Sequence, residues 1–207
     1  MKTDLSNIQN IIFDLGKVLL NLDFDASIRA FHELGLSRNV LNRQQAYADP
    51  AFYQLETGEI SPAGFREKVR EILNTPDASD QQIDMAWCAM IGDVPRKRVE
   101  ALKELRKKYR VFLFSNTNAI HISHMHADFE KKFGFAFPSL FEKDFYSHEI
   151  GKRKPDPASF GKVIELAQVN PAETLFVDDL EKNIAAAKET GLKVLWLEDG
   201  MEMADLF

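Results

Sequence analysis

The sequence predicts an α/β fold: a doubly wound, Rossmann-like parallel sheet with a small α-helical cap inserted early in the chain. Three observations carry that expectation. Short apolar, β-branched or aromatic runs recur at NIIFDL (10–15), RVFLFSN (110–116), TLFVDD (174–179) and KVLWLE (193–198), with a weaker one at KDFYS (143–147). Helical patterns separate the later runs. Between residues 22 and 92 there are amphipathic helical stretches and no convincing strand.

Taken in order, the first run is apolar on both faces, as a strand buried between two layers of helices must be, and it ends at Asp14. SIRAFHEL, SPAGFREKVREIL and DQQIDMAWCAM follow as helical segments, with Ser61 as a cap residue and Pro62 at the first helical position. These segments define a cap over residues 21–92, leaving 1–20 and 93–207 for the sheet domain. RKRVEALKELRKKY then places Val99, Leu102, Leu105 and Tyr109 on one helical stripe. Asp156 and Pro157 form a second cap-and-start pair, opening PASFGKVIELAQ, and LEKNIAAAKETG stops at Gly191. Strand and helix alternating in this way require right-handed crossovers between parallel strands.

The 207 residues are 45% hydrophobic, enough for a substantial core, and carry a net charge of −6. Such a balance argues against a nucleic-acid surface. An acidic protein that binds phosphate must gather positive charge locally, from a metal, a lysine or backbone amides. The single cysteine, Cys88, permits no disulfide within the chain. The first residues, MKTDLSNIQN, hold no apolar run of signal-peptide length, and no stretch approaches a membrane span. A cytoplasmic protein, monomeric or weakly dimeric, is expected.

Ligands of open α/β sheets gather at the carboxyl ends of the strands. Polar residues cluster there in this chain: Asp14, then Ser115 and Asn116, then Asp178 and Asp179, while GKRKPDP (151–157) supplies Lys154 just before a helix. Any one of these could be a turn former or a solvated lysine, but the set has the parts for phosphoryl transfer. Asp14 can attack phosphorus without prior deprotonation. Asp14, Asp178 and Asp179 offer hard oxygens to Mg²⁺. Ser115 and Asn116 can donate to phosphate, and Lys154 can neutralise the charge shared by nucleophile and phosphate.

In order and context these segments resemble the haloacid dehalogenase-like superfamily, in the branch with a helical cap after the first motif. FDLGKV (13–18), FSNTN (114–118), RKPDP (153–157) and FVDDLEKN (176–183) are similar to its four motifs. EKDFYSHEIGKRKPDP and LETGEISPAGF further resemble a bacterial group that includes glucose-1-phosphate phosphatase-like enzymes. The resemblance implies a Mg²⁺-dependent phosphatase acting on a small phosphorylated metabolite through an aspartyl-phosphate. Asp14 would be nucleophile and metal ligand, Ser115 and Asn116 phosphate ligands, and Lys154 the motif-three lysine. Asp179 would be the direct metal ligand, with Asp178 shared or held behind it.

One departure bears on mechanism. The family pattern has a second aspartate two residues after the nucleophile, serving as general acid/base. This chain has Gly16, whose carbonyl can face a metal but which cannot move a proton. Either the leaving group is good, as in an anomeric sugar phosphate, or another group such as Asp23 substitutes. Metal-independent haloacid dehalogenases also lack that aspartate and are an alternative, though Asp178 and Asp179 then have no task. A catalytically weak phosphate-binding protein is another. A signalling receiver domain has the lone aspartate and the acidic pair in the opposite order and no place for the insert. Weaker signals are His121, His124 and His126, expected at the surface because their spacing spreads them around a helix. Glu56 and Glu59, flanking Gly58, suggest substrate-hydroxyl partners or a solvated turn. Asn183 suggests either a hydrogen bond to the motif-four loop or merely a place in the first turn of a helix.

Overall fold

The computed structural model describes residues 3–37, 39 and 42–207. Its five strands are β1 (Asn10–Phe13), β2 (Arg110–Ser115), β3 (Lys143–Tyr146), β4 (Thr174–Asp178) and β5 (Lys193–Trp196). All pair in parallel, in the order β3-β2-β1-β4-β5. The first strand is thus central, flanked by β2 and β4, and the chain winds outward from it on both sides. The polar residues Asp14, Ser115 and Asp178 stand at the carboxyl ends of β1, β2 and β4.

Alternate residues face opposite layers. Ile11 and Phe13 join the core formed with α6 (Arg96–Leu105), α7 (Ala119–Phe133) and the short α11 (Met203–Leu206). Ile12, Phe112, Phe114 and Phe176 pack against α9 (Pro157–Ala167) and α10 (Glu181–Glu189) on the other face. Both faces are covered, which explains the absence of polar alternation in the strands.

Among the described residues, five helices lie between β1 and α6: α1 (Phe24–Glu33), α2 (Arg43–Ala46), α3 (Pro50–Thr57), α4 (Pro62–Leu73) and α5 (Asp80–Cys88). Helices α1, α3, α4 and α5 share an apolar cluster built around Phe31, Phe52, Phe65 and Trp87, with Phe52 and Trp87 edge to face at 5.2 Å. Ile120 of α7 joins this cluster, seating the helical unit on the sheet layer. Helix α3 begins with the same signal as its neighbours: Asp49 accepts from the Ala51 N–H, and Pro50 occupies the first turn. The two connections between the units run side by side. Leu22 bridges Ile91 antiparallel, and the Asn21 N–H donates to the Asp93 carbonyl at 3.0 Å. A second contact closes on the far side, where Gly58 ends α3 with φ +75°. A Cβ there would lie 2.3 Å from the carbonyl oxygen of His148, in the short helix α8 (Ser147–Ile150), so the approach of α3 to α8 needs glycine.

Far from this contact, Arg98 of α6 donates to both carboxylate oxygens of Glu202, at 2.8 and 3.1 Å, and to Asn21 Oδ1 at 3.2 Å. Partial burial works against ionisation of Glu202, but hydrogen bonds from Arg98 and Lys97 outweigh it and hold the carboxyl down at about 2. A depressed carboxylate contributes stability above its unfolded value of 4.5 and loses it as pH falls toward 2. Glu202→Gln is therefore expected to cost about 1–2 kcal/mol at neutral pH. That difference from the wild type should vanish on acidification through the same window, as urea denaturation at several pH values would show.

Candidate active site

In the parallel register Phe13 lies level with Leu113 and Val177. The next residues therefore emerge together at the carboxyl edge of the sheet: Asp14 from the centre, Phe114–Ser115 on one side and Asp178–Asp179 on the other. The Asp14 N–H is anchored to the Val177 carbonyl at 2.8 Å.

Lys154 connects them. Only 2% exposed, its ammonium donates to Asp14 Oδ1 and Asp178 Oδ2, each at 2.7 Å, and to the Phe114 carbonyl at 2.9 Å. Its three donors are all used, and its charge lies over the rings of Phe114 and Phe176. Burial works to lower its pKa, yet the two carboxylates win and raise it. For Asp14 burial is the largest influence and pushes the carboxyl up to about 7, against the pull of Lys154 and helped by the charges of Asp178 and Asp179.

The acidic pair divides its tasks. Asp178 is fully buried; Oδ1 accepts from the Leu180 N–H at 2.9 Å and from Asn183 Nδ2 at 3.0 Å, while Oδ2 holds Lys154. Asn183 thus fastens this loop, as one of its two readings had it. Asp179 keeps its carboxylate toward the cleft, with Lys17 Nζ at 3.8 Å, and its backbone carbonyl accepts from Trp196 Nε1. Burial, then the charge of Asp178, raises its pKa. Oxygens of Asp14, Asp178 and Asp179 all lie within 4.8 Å of one another, a donor set that suits a hard divalent cation.

Several expectations need correction. The Asn116 side chain does not face a phosphate site: Nδ2 donates to the Lys154 carbonyl at 2.8 Å and Oδ1 accepts from the Lys154 N–H at 2.9 Å. Its carboxamide positions the backbone of the lysine. Ser115 lines the cleft beside it. Glu56 faces the cleft but pairs with Arg153 at 2.7 Å, whereas Glu59 is exposed and accepts from Thr57 Oγ1 outside it. Asp23 caps α1 through the Ala26 N–H and pairs with Arg29. Those hydrogen bonds lower its pKa, the wrong direction for a proton donor. His121 is not a surface residue. It stacks on Trp87 at 4.5 Å between ring centroids, its Nε2 lies 3.2 Å from the Trp87 carbonyl, and burial pushes its pKa down to about 3. His124 is exposed and pairs with Asp128, and His126 reaches the Tyr146 hydroxyl.

Above the acidic floor a cleft of about 820 Å³ opens between the sheet edge and the helical unit. Gly16, Lys17, Asn116 and Arg153 border it, and its upper wall comes from α1, α3 and α5. The Arg153 guanidinium lies over the Tyr53 ring as well as against Glu56, tying the Lys154 loop to α3. In the sequence Arg153 reads only as a basic neighbour of Lys154; its partner on α3 has no local signal and emerges with the fold.

Among known proteins, residues 8–191 match the family model described as haloacid dehalogenase-like hydrolase. A D-ribitol-5-phosphate phosphatase of Bacteroides thetaiotaomicron is 31% identical over 195 residues, covering 94% of each chain. A sesquiterpene phosphatase of Aspergillus oryzae is 27% identical, covering 92% of this chain and 90% of its own. Among solved structures, a HAD family enzyme of Bacteroides thetaiotaomicron in complex with magnesium and inorganic phosphate superposes with a TM-score of 0.85. It is 37% identical, with 97% of this chain and 99% of the other covered.

Proposed function

The chain belongs to the haloacid dehalogenase-like hydrolases, and from that premise we propose that it is a magnesium-dependent phosphatase of small phosphate monoesters. The observation that carries this reading is the buried Lys154 ammonium shared by Asp14 and Asp178, beside the outward carboxylate of Asp179. The phosphatase names of its relatives and the magnesium–phosphate complex of a similar structure agree with it. We place the division between a catalytic domain of residues 1–20 and 93–207 and a cap of 21–92 at the paired connections around Leu22 and Ile91.

In this reading an Asp14 carboxylate oxygen attacks phosphorus. The ester P–O bond breaks, its electron pair leaving on the alcohol oxygen, which then takes a proton. Water attacks the resulting aspartyl-phosphate, releasing inorganic phosphate and restoring Asp14. Lys154 holds the nucleophile in place and offsets the charge gathered there. The Ser115 hydroxyl and Asn116 backbone N–H hold phosphoryl oxygens. Asp14, Asp179 and the Gly16 carbonyl would ligate Mg²⁺, with Asp178 behind them, since its oxygens already serve Lys154, Asn183 and Leu180. Bound there, the cation offsets carboxylate repulsion and polarises the phosphoryl group. Activity on a generic aryl phosphate is expected to vanish in EDTA and return with Mg²⁺. Undiminished activity in EDTA would overturn this reading and favour metal-free dehalogenase chemistry.

Gly16 leaves the first loop without a side-chain acid. Its φ is not positive, so the glycine is not required by backbone conformation. A Cβ would meet Leu22 Cδ1 at 2.7 Å, the end of a side chain that can turn away. The rate should therefore fall steeply as the leaving-group pKa rises, and Gly16→Asp should flatten that dependence, by up to ~10²-fold for a poor leaving group. The check is a plot of log kcat/KM against leaving-group pKa for both proteins. The relatives described above are named for a polyol phosphate and a sesquiterpene substrate. They lend no support to glucose 1-phosphate, which is set aside.

A further inference from the structure

We infer that the phosphate monoester taken by this cleft carries an apolar organic group rather than a polyol chain, an inference that rests on the phosphatase reading above. The floor of the cleft is charged; above it, among the described residues, the walls are mainly apolar, apart from Lys17, Gln44 and the paired Glu56 and Arg153. Phe24 and Leu22 rise from the start of the helical unit, Tyr47 and Phe52 from the segment before α3 and from α3 itself, Trp87 from α5 and Met125 from α7. At about 820 Å³ the space lies in the upper part of the range that encloses a drug-sized ligand, so a phosphate on the floor occupies only a part of it.

Among the described residues, two polar side chains higher in the cleft are already engaged, while Gln44 is exposed at its border. Glu56 is held by Arg153, and His121 Nε2 by the Trp87 carbonyl. Trp87 Nε1 is buried without a hydrogen-bond partner among the described residues. A polyol would have to bury successive hydroxyls against rings and methyl groups, losing their water without replacement. A hydrocarbon chain gains from the same wall.

The test is a series of ethyl, butyl and hexyl phosphate, whose leaving alcohols differ little in acidity, beside D-ribitol 5-phosphate and with p-nitrophenyl phosphate as control. The expected result is a rise in kcat/KM of roughly fourfold per methylene, about 250-fold over the four methylenes from ethyl to hexyl phosphate. Phe24→Ser should compress the hexyl-to-ethyl ratio by at least about threefold. A flat or falling wild-type series, or D-ribitol 5-phosphate outrunning hexyl phosphate, would overturn the inference while leaving the phosphatase reading intact. Absence of turnover for every phosphate, the aryl ester included, would instead remove the phosphatase reading itself and this inference with it.

Discussion

Asp14→Asn is expected to abolish turnover, by roughly 10⁴- to 10⁶-fold as for other covalent nucleophiles removed singly, while the protein stays folded. An amide is a poor nucleophile toward phosphorus and cannot form the acyl-phosphate. It is nearly isosteric with the carboxylate, and the Asp14 N–H bond to Val177 is untouched. The substitution also relieves a buried carboxyl whose ionisation burial resists, so urea denaturation in EDTA should show no loss of stability. Residual turnover within a hundredfold of wild type would move the nucleophile elsewhere.

Lys154→Met is expected to damage both fold and chemistry. Asp14 and Asp178 would lose a cation 2.7 Å away while remaining buried, and breaking such a pair from one side costs about 3–5 kcal/mol. That loss should appear in denaturation without metal. In kcat/KM with saturating Mg²⁺ the cost should be at least about 100-fold, the scale of removing one fixed donor from a developing anion. Methionine matches the lysine stem in volume, so packing against Phe114 and Phe176 is preserved and the deficit reports charge. A loss below about tenfold, or ~1.4 kcal/mol, would show that this ammonium takes no part in the reaction.

Much of the site could be read in the sequence because an open parallel sheet turns linear order into spatial order. Asp14, Ser115 and Asp178–Asp179 end strands that pair side by side, so their convergence followed from the strands alone. Lys154 was different: its loop looks basic and solvated, and only the motif resemblance pointed inward. Asn116 is ambiguous in sequence, since its type at the end of a strand fits an anion ligand as well as it fits a clamp on the Lys154 backbone. His121 reads as a surface residue within its own helix, but that helix packs not only on the sheet but also under α5, which periodicity within one helix cannot reveal. The Glu56–Arg153 pair joins the cap to the motif-three loop, a contact between distant segments with no local signal. The start of α3, by contrast, was available in Asp49–Pro50, the same pairing that marks α4 and α9.

The central claim is that Asp14 carries the phosphoryl group, and trapping it is the direct measurement. Enzyme quenched during turnover of an aryl phosphate would be reduced with hydride, which converts a phosphorylated aspartate to homoserine, and then mapped by peptide mass spectrometry. The account predicts conversion at position 14 and at no other acidic residue, dependent on both substrate and Mg²⁺. Conversion elsewhere, or none while phosphate is released at the full rate, would contradict it.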